Sequence, residues 1–313
     1  MNLFLIGSGF TKALLPCAPL NADLLPRLCK NSANHGCITM FNLYENNDIE
    51  VCLTKLDLDI ISNKAKVGEL NSLRTNVENE LAGFFYNYVA SDDLLANCEW
   101  ARKFFQNAIS VDDVVVSLNY DCIFEGMLDL VDKWTPNGGY GTTFMNFINS
   151  KKSPTRVLKI HGSASFMAQP NRTDKSKAET IGFTINEHFF PKSGKYTEFA
   201  FGDDKSKPFI IAPSYVKIPA LAISYLMLEA LKASTEASKI IIIGCGLRPE
   251  DSFLTLLITN FLNQKKGKII IADRKPEERF SNLQKYYEDD VEQSFVLIEG
   301  YIQNTVDQLI AAI

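Results

Sequence analysis

Two short apolar runs break abruptly into residues that can hold or cleave a polar ligand. Val114 opens the stretch VVVSLNYD, which passes from apolar residues into Asn119-Tyr120-Asp121, and Val157 to Ile160 ends in His161-Gly162-Ser163. Four or five apolar residues are costly to expose, so each run reads as a buried strand with its polar residues at the carboxyl end. That edge is where open α/β sheets bind ligands. The two strands therefore bring a carboxamide, a carboxylate and an imidazole to one edge. Residues two apart on an extended chain point the same way, so Asn119 and Asp121 can face one ligand. Unperturbed imidazole titrates near about pH 6.5, so a neutral ring at His161 can accept a proton. The alternatives are structural: Asn and Asp also favour turns and caps, and a core histidine can bond to backbone.

The glycine-rich turns come next. A first strand, Asn2 to Ile6, meets Gly7-Ser8-Gly9-Phe10-Thr11, and a helical pattern starts near Lys12. Strand, glycine turn and helix start together form a cradle in which backbone amides can meet a phosphate. The third glycine of the dinucleotide fingerprint is missing, and a tight turn without a ligand has the same sequence. The strand Lys239 to Ile243 runs into Gly244-Cys245-Gly246, and Lys268 to Ala272 ends at Asp273. An acidic residue there suits a ribose diol. It equally suits capping of a helix that starts near Pro276.

These strands need a frame. Six strands alternating with helices predict an α/β fold, a doubly wound, mostly parallel, six-stranded Rossmann-like sheet. The chain is expected to be a single domain, 1–313, with a mainly helical insertion at 20–106. Within that insertion Val51 to Ile61 is compatible with either strand or helix. Smaller excursions at 134–155 and 164–215 are expected beside the site, the second as a looser, more polar segment that includes an exposed loop at 171–179 and a short strand at 209–212 and can act as a lid.

Composition limits the function. With 32 basic and 37 acidic residues the net charge is −5, which gives the molecule as a whole no electrostatic claim on nucleic acid or anionic lipid. The pairs Lys151-Lys152 and Lys265-Lys266 read as solvated loop charges. Seven cysteines without a C-x-x-C pair argue against a zinc module. Cys29, His35, Cys37 and Cys52 lie near one another in sequence, but ordinary thiols explain them and no metal is expected. Leu3 to Ile6 is too short for a signal sequence, and no run approaches the roughly 20 apolar residues of a membrane span. A cytoplasmic protein with reduced thiols is expected.

Taken together, Gly7-Ser8-Gly9-Phe10-Thr11, Ser117-Leu118-Asn119-Tyr120-Asp121, Lys159-Ile160-His161-Gly162-Ser163 and Gly244-Cys245-Gly246-Leu247 with Asp251 resemble the sirtuin-like superfamily. The likeness is closer to its compact bacterial branch of NAD-consuming anti-phage defence proteins. The motifs correspond to the family's G-A-G-[IF]-S turn, its T-Q-N-x-D strand end, its histidine-glycine pair and its late glycine turn. The resemblance implies NAD as the substrate. Gly7, Ser8 and Gly9, with Phe10 and Thr11, would embrace the pyrophosphate, and Asn119 would position the nicotinamide ribose or an attacking water. Asp121 would hold the carboxamide, and His161, beside Gly162 and Ser163, would be a base or ribose partner. Gly244, Cys245, Gly246 and Asp273 would lie along the adenosine half.

The sequence departs from the family at Ser8, Thr11 and Leu118, where sirtuins have alanine, serine and glutamine. It also lacks the paired C-x-x-C motifs of the deacetylase zinc module, which favours water over an acyl-lysine peptide as acceptor. The expected activity is therefore NAD glycohydrolysis. The alternatives are an NAD-dependent deacylase or ADP-ribosyltransferase, and a non-catalytic sensor of NAD or ADP-ribose. Control through a homo-oligomer or an activating protein partner is expected from the same resemblance.

Overall fold

The structure, a computed structural model, describes residues 1–140, 155–169, 180–184, 186–196, 207–215, 223–247, 251–264, 267–286 and 294–313. The two lysine pairs and the loop at 171–179 lie outside them, as do parts of both expected excursions. In chain order the strands are β1 (Leu3–Ile6), β2 (Val114–Ser117), β3 (Arg156–Lys159), β4 (Gly162–Gln169), β5 (Thr180–Phe183), β6 (Lys207–Ile210), β7 (Lys239–Ile243), β8 (Lys268–Asp273) and β9 (Phe295–Glu299).

Six of these form one parallel sheet in the order β3-β2-β1-β7-β8-β9. The expected doubly wound α/β fold is what the structure has. β1 and β2 are buried along their whole length, as strands covered by helices on both faces must be. The chain builds outward from β1 through β2 to β3, then returns to β1's other side with β7. That reversal creates a crevice beyond the carboxyl ends of β1 and β7, the place where such sheets accept ligands.

Seven helices lie between β1 and β2: α1 (Ser8–Leu14), α2 (Asn21–Leu28), α3 (His35–Tyr44), α4 (Ile49–Ser62), α5 (Val67–Tyr86), α6 (Asp92–Asn97) and α7 (Glu99–Asn107). The ambiguous stretch at 51–61 is helical because Asp48 caps it, its side chain accepting from the amides of Glu50 and Val51. α1 begins at Ser8, four residues before the expected start, since Gly7 stays extended and the chain turns directly after it. The long α5 packs against α3, α4, β4 and β6.

After β2 come α8 (Ile123–Leu130) and a short turn of helix, α9 (Pro136–Gly139). The C-terminal half adds α10 (Ser224–Glu236), α11 (Ser252–Asn263), α12 (Pro276–Gln284) and α13 (Ile302–Ala312). The looser segment expected after Ala164 instead contains a second, antiparallel sheet of order β5-β4-β6 among its described residues. Its serines explain the mismatch. Ser163 and Ser165 are both fully buried with their hydroxyls 3.2 Å apart, so polar residues here belong to the interior of a sheet. No helix among the described residues is long and apolar enough to cross a membrane.

Candidate functional site

All six strands of the parallel sheet contribute their carboxyl ends to one cavity of about 820 Å³. Its wall contains Gly7 through Thr11 after β1, Asn119 and Asp121 after β2, His161 after β3, Gly244 through Gly246 after β7, Asp273 at the end of β8, and Gly300 with Tyr301 after β9. The volume falls within the range of small-molecule pockets. Gly162 and Ser163 are the two singled-out residues that this wall does not include. Gly162 has φ +77°, and a Cβ on it would lie 2.4 Å from the Phe209 carbonyl oxygen, so the glycine serves the close approach of β4 to β6. Ser163 is turned into the protein, its hydroxyl 3.4 Å from the Cys122 sulfur.

The polar strap after β2 is tied to α1 by three side chains. Asn119 Nδ2 donates to the Gly7 carbonyl at 3.2 Å and to Thr11 Oγ1 at 3.0 Å. Thr11 Oγ1 lies 3.1 and 3.2 Å from the two Asp121 oxygens. The hydroxyl has one proton, and an ionised carboxylate can only accept, so Thr11 donates to Asp121 and receives from Asn119. With both Nδ2 protons engaged, Oδ1 is the Asn119 atom left to meet a ligand. Asp121 also accepts from the amide of Ile123, the first residue of α8, at 3.1 Å, so a cavity residue is tied to the start of that helix. Burial raises the Asp121 carboxyl to about 6. The Lys159 charge opposes that rise and the Glu125 charge adds to it.

The two glycine turns lock into each other. Gly7 N donates to Ile243 O at 3.1 Å and Gly9 N to Gly244 O at 3.0 Å, while Phe10 N returns to Gly7 O at 3.0 Å. A Cβ on Gly7 would sit 2.5 Å from Gly244 O, and one on Gly244, at φ +62°, would sit 2.4 Å from Phe10 N. These glycines are needed for backbone contact between the turns. The expectation of open amides is corrected at Gly7, Gly9 and Phe10, whose amides are engaged within the protein. The Phe10 ring points into a cluster with Trp100, Phe104, Phe105 and Phe124, so that residue offers the cavity mainly backbone. The Cys245 thiol is buried, donates to the Leu5 carbonyl at 3.4 Å, and is pushed up by that burial.

Asp273 borders the cavity and ties the turn that leads into α12. Its Oδ1 accepts from the Lys275 amide at 2.9 Å and lies 3.5 Å from Arg279 Nε, and the residue borders the cavity. Beside it the Arg274 guanidinium lies 5.6 Å from the centre of the Tyr301 ring, which is 53% exposed. Sequence reasoning missed Arg274 and Tyr301. The available signal was Gly300-Tyr301 directly after the sixth strand of the sheet. It also missed Asn21 and Glu50 in the helical layer, which reach the wall with Asn21 Nδ2 2.6 Å from Glu50 Oε1. Among the described residues, no group of three or more His, Cys, Asp or Glu side chains is arranged to hold a metal ion. Cys37 and Cys52 are buried in α3 and α4.

No protein-family model matches the sequence, and no curated protein matches it. Solved structures that resemble the chain include one described as Sir2 bound to acetylated peptide, 12% identical, covering 99% of this chain and 92% of its own, with a TM-score of 0.45. Another is a Sir2 homologue–NAD complex, also 12% identical, covering 99% and 87%, with a TM-score of 0.44. The functional reading is carried by the cavity itself.

Proposed function

We propose that the protein is an NAD glycohydrolase that cleaves the bond between nicotinamide and ribose, giving nicotinamide and ADP-ribose. The observation that supports this reading is the single cavity whose wall holds Asn119, His161, the paired glycine turns and Asp273. In this reading the Ser8 region and the Gly244 turn flank the pyrophosphate, and Asp273 accepts from the adenosine ribose. Asn119 Oδ1 holds a ribose hydroxyl or the attacking water.

The chemistry makes modest demands. The C1′–N bond breaks with its electron pair going to the pyridinium nitrogen, so nicotinamide leaves neutral and no general acid is required. Ordinary glycoside hydrolysis, by contrast, uses two carboxylates. Water adds to C1′ and loses a proton, which His161 accepts. The protein's share is to orient the sugar, exclude bulk solvent and stabilise the oxocarbenium-like centre. Asp121 was expected to hold the carboxamide, but its carboxylate already serves Thr11 and the Ile123 amide. We assign it instead to the support of Asn119.

Uncontrolled NAD consumption would harm the cell that makes the enzyme. The proposal therefore includes a resting state released in bacterial anti-phage defence, through self-assembly or a protein partner, in the cytoplasm. The sequence resemblance is the support for that part.

The deciding experiment follows nicotinamide release by the wild type, Asn119→Ala and His161→Ala, with acylated peptide present and absent and with candidate activators. Release independent of peptide, and lost in both variants, is the expected result. Acyl-ADP-ribose formed only with peptide would replace hydrolysis by deacylation. Tight NAD binding with no turnover under any condition would leave a sensor.

A further inference from the structure

Beneath the strap lies an ion pair with no access to solvent. The side chains of Lys159 and Glu125 are both 0% exposed, with Nζ 3.1 Å from Oε1. Lys159 Nζ also donates to the backbone carbonyl of Asp121, and the Tyr140 hydroxyl donates to Glu125 Oε1 at 3.1 Å. The register of the sheet places Lys159 directly beside Ser117, the last residue of β2, where the strap begins.

Stability alone does not account for this pair. Removing two charges from water costs several kcal/mol per ion, and apolar residues of similar volume in such sites are often equally or more stable. What the pair does have is a position. A buried carbonyl needs a donor, and Lys159 supplies one to Asp121. Thr11 meets the same residue's carboxylate from α1 and Asn119 beyond it. Contacts thus run unbroken from Glu125 through Lys159, Asp121 and Thr11 to Asn119.

We infer that Lys159, braced by Glu125, is a positioning residue that fixes the Asn119–Asp121 strap from beneath and so sets how Asn119 meets the substrate. The consequence for turnover rests on the NAD reading above. The consequence for Asp121 does not. The charged and titratable groups facing Asp121 are Lys159 from β3, Glu125 on α8, and Tyr88 just beyond α5. The Thr11 hydroxyl completes that environment from α1.

The test compares full-length wild type, Lys159→Met/Glu125→Gln and Glu125→Gln. The double variant removes the pair without stranding a buried charge. Asp121 is titrated by carbon-13 carboxyl NMR without substrate, and the resonance is assigned through Asp121→Asn. Its midpoint should rise in the double variant, because Lys159 is the larger of the two opposing charges. It should fall in Glu125→Gln, which keeps the cation and loses the anion. In nicotinamide release, kcat of the double variant should fall about 10- to 100-fold with KM nearly unchanged. An unmoved midpoint in Glu125→Gln, or a folded double variant with wild-type kcat, overturns the inference. Should the double variant not fold, kcat of Glu125→Gln decides, since loss of the brace should lower it and a wild-type value overturns the inference. Absence of nicotinamide release from the wild type would overturn the NAD reading, while the Asp121 midpoint in the double variant still tests whether Lys159 holds that residue from beneath.

Discussion

Thr11 and Asp121, 110 residues apart in sequence, meet through a hydrogen bond of 3.1 Å that joins the first turn of the fold to the strap after β2. Because the same hydroxyl accepts from Asn119, one oxygen fixes both the acid and the amide. Thr11→Val keeps the shape and removes both bonds. It leaves a buried carboxylate and a buried amide each short of a partner, at a cost of about 1–3 kcal/mol. Nicotinamide release by Thr11→Val should fall at least about tenfold, while Thr11→Ser retains most of it. Parallel thermal unfolding and initial-rate measurements check both, and equal activity of the two variants would remove Thr11 from the site's support.

The Asp121 carboxyl, raised to about 6 by burial, links stability and activity to pH with opposite signs. A carboxyl whose folded value lies above its unfolded one stabilises the fold below the unfolded value, near 3.8, and loses that contribution as pH rises through about 6. At neutral pH the charged form therefore costs stability, roughly 3 kcal/mol for a rise of this size. Asp121→Asn should be more stable than wild type at neutral pH, and the advantage should shrink as the pH approaches 4. Turnover by the wild type should decline below about pH 6, where the carboxyl protonates and no longer serves as a pure acceptor for Thr11. Denaturant unfolding and pH-rate profiles test the two halves separately.

Gly244 is held at φ +62° with its α-carbon against α1. Gly244→Ala adds a methyl 2.4 Å from the Phe10 nitrogen in a backbone conformation that disfavours side chains. The two effects together should destabilise the fold by about 2–4 kcal/mol. They should also spread the two turns and weaken ADP-ribose binding. Gly83 has no atom within 4 Å of an added Cβ, so Gly83→Ala is the matched control and should leave binding unchanged. Calorimetric binding of ADP-ribose on both variants decides whether the interlocked turns border the ligand.

Elements covered on both faces were legible from sequence, and elements whose polarity is satisfied internally were not. The strands Leu3–Ile6, Val114–Ser117 and Lys239–Ile243 announce themselves because a central parallel strand must be apolar on both sides. Asn119 and Asp121 could be placed on one edge from their spacing alone, and both border the cavity. Of the antiparallel sheet only a strand near 209–212 was legible, because Ser163 and Ser165 satisfy each other inside it and hide β4. Lys159 fell inside the run read as a buried strand, but nothing in sequence named its partner, since Glu125 lies 34 residues earlier on a helix. The glycine turn after β1 was visible, but its reason, backbone packing on Gly244, exists only in the folded chain.

On the proposed NAD reading, the carboxylate of Asp273 leads to a final prediction about dinucleotide selectivity. Lys275 N and Arg279 hold its Oδ1, so the group is fixed in place at the end of β8. A fixed carboxylate accepts from a ribose diol and repels a 2′-phosphate, which favours NAD over NADP. The nearby cations already have partners, the Arg274 guanidinium 5.6 Å from the centre of the Tyr301 ring and Arg279 Nε 3.5 Å from Asp273 Oδ1. Asp273→Asn keeps an acceptor for the Lys275 amide and removes the charge. Turnover of NAD should fall by about tenfold or less, while the ratio of NAD to NADP turnover should fall further, by roughly 10- to 100-fold. This follows because the loss of repulsion assists only the phosphorylated substrate. Specificity constants for both dinucleotides with wild type and Asp273→Asn measure this directly, and an unchanged ratio would place Asp273 outside the ribose site and leave it as a cap for the turn into α12.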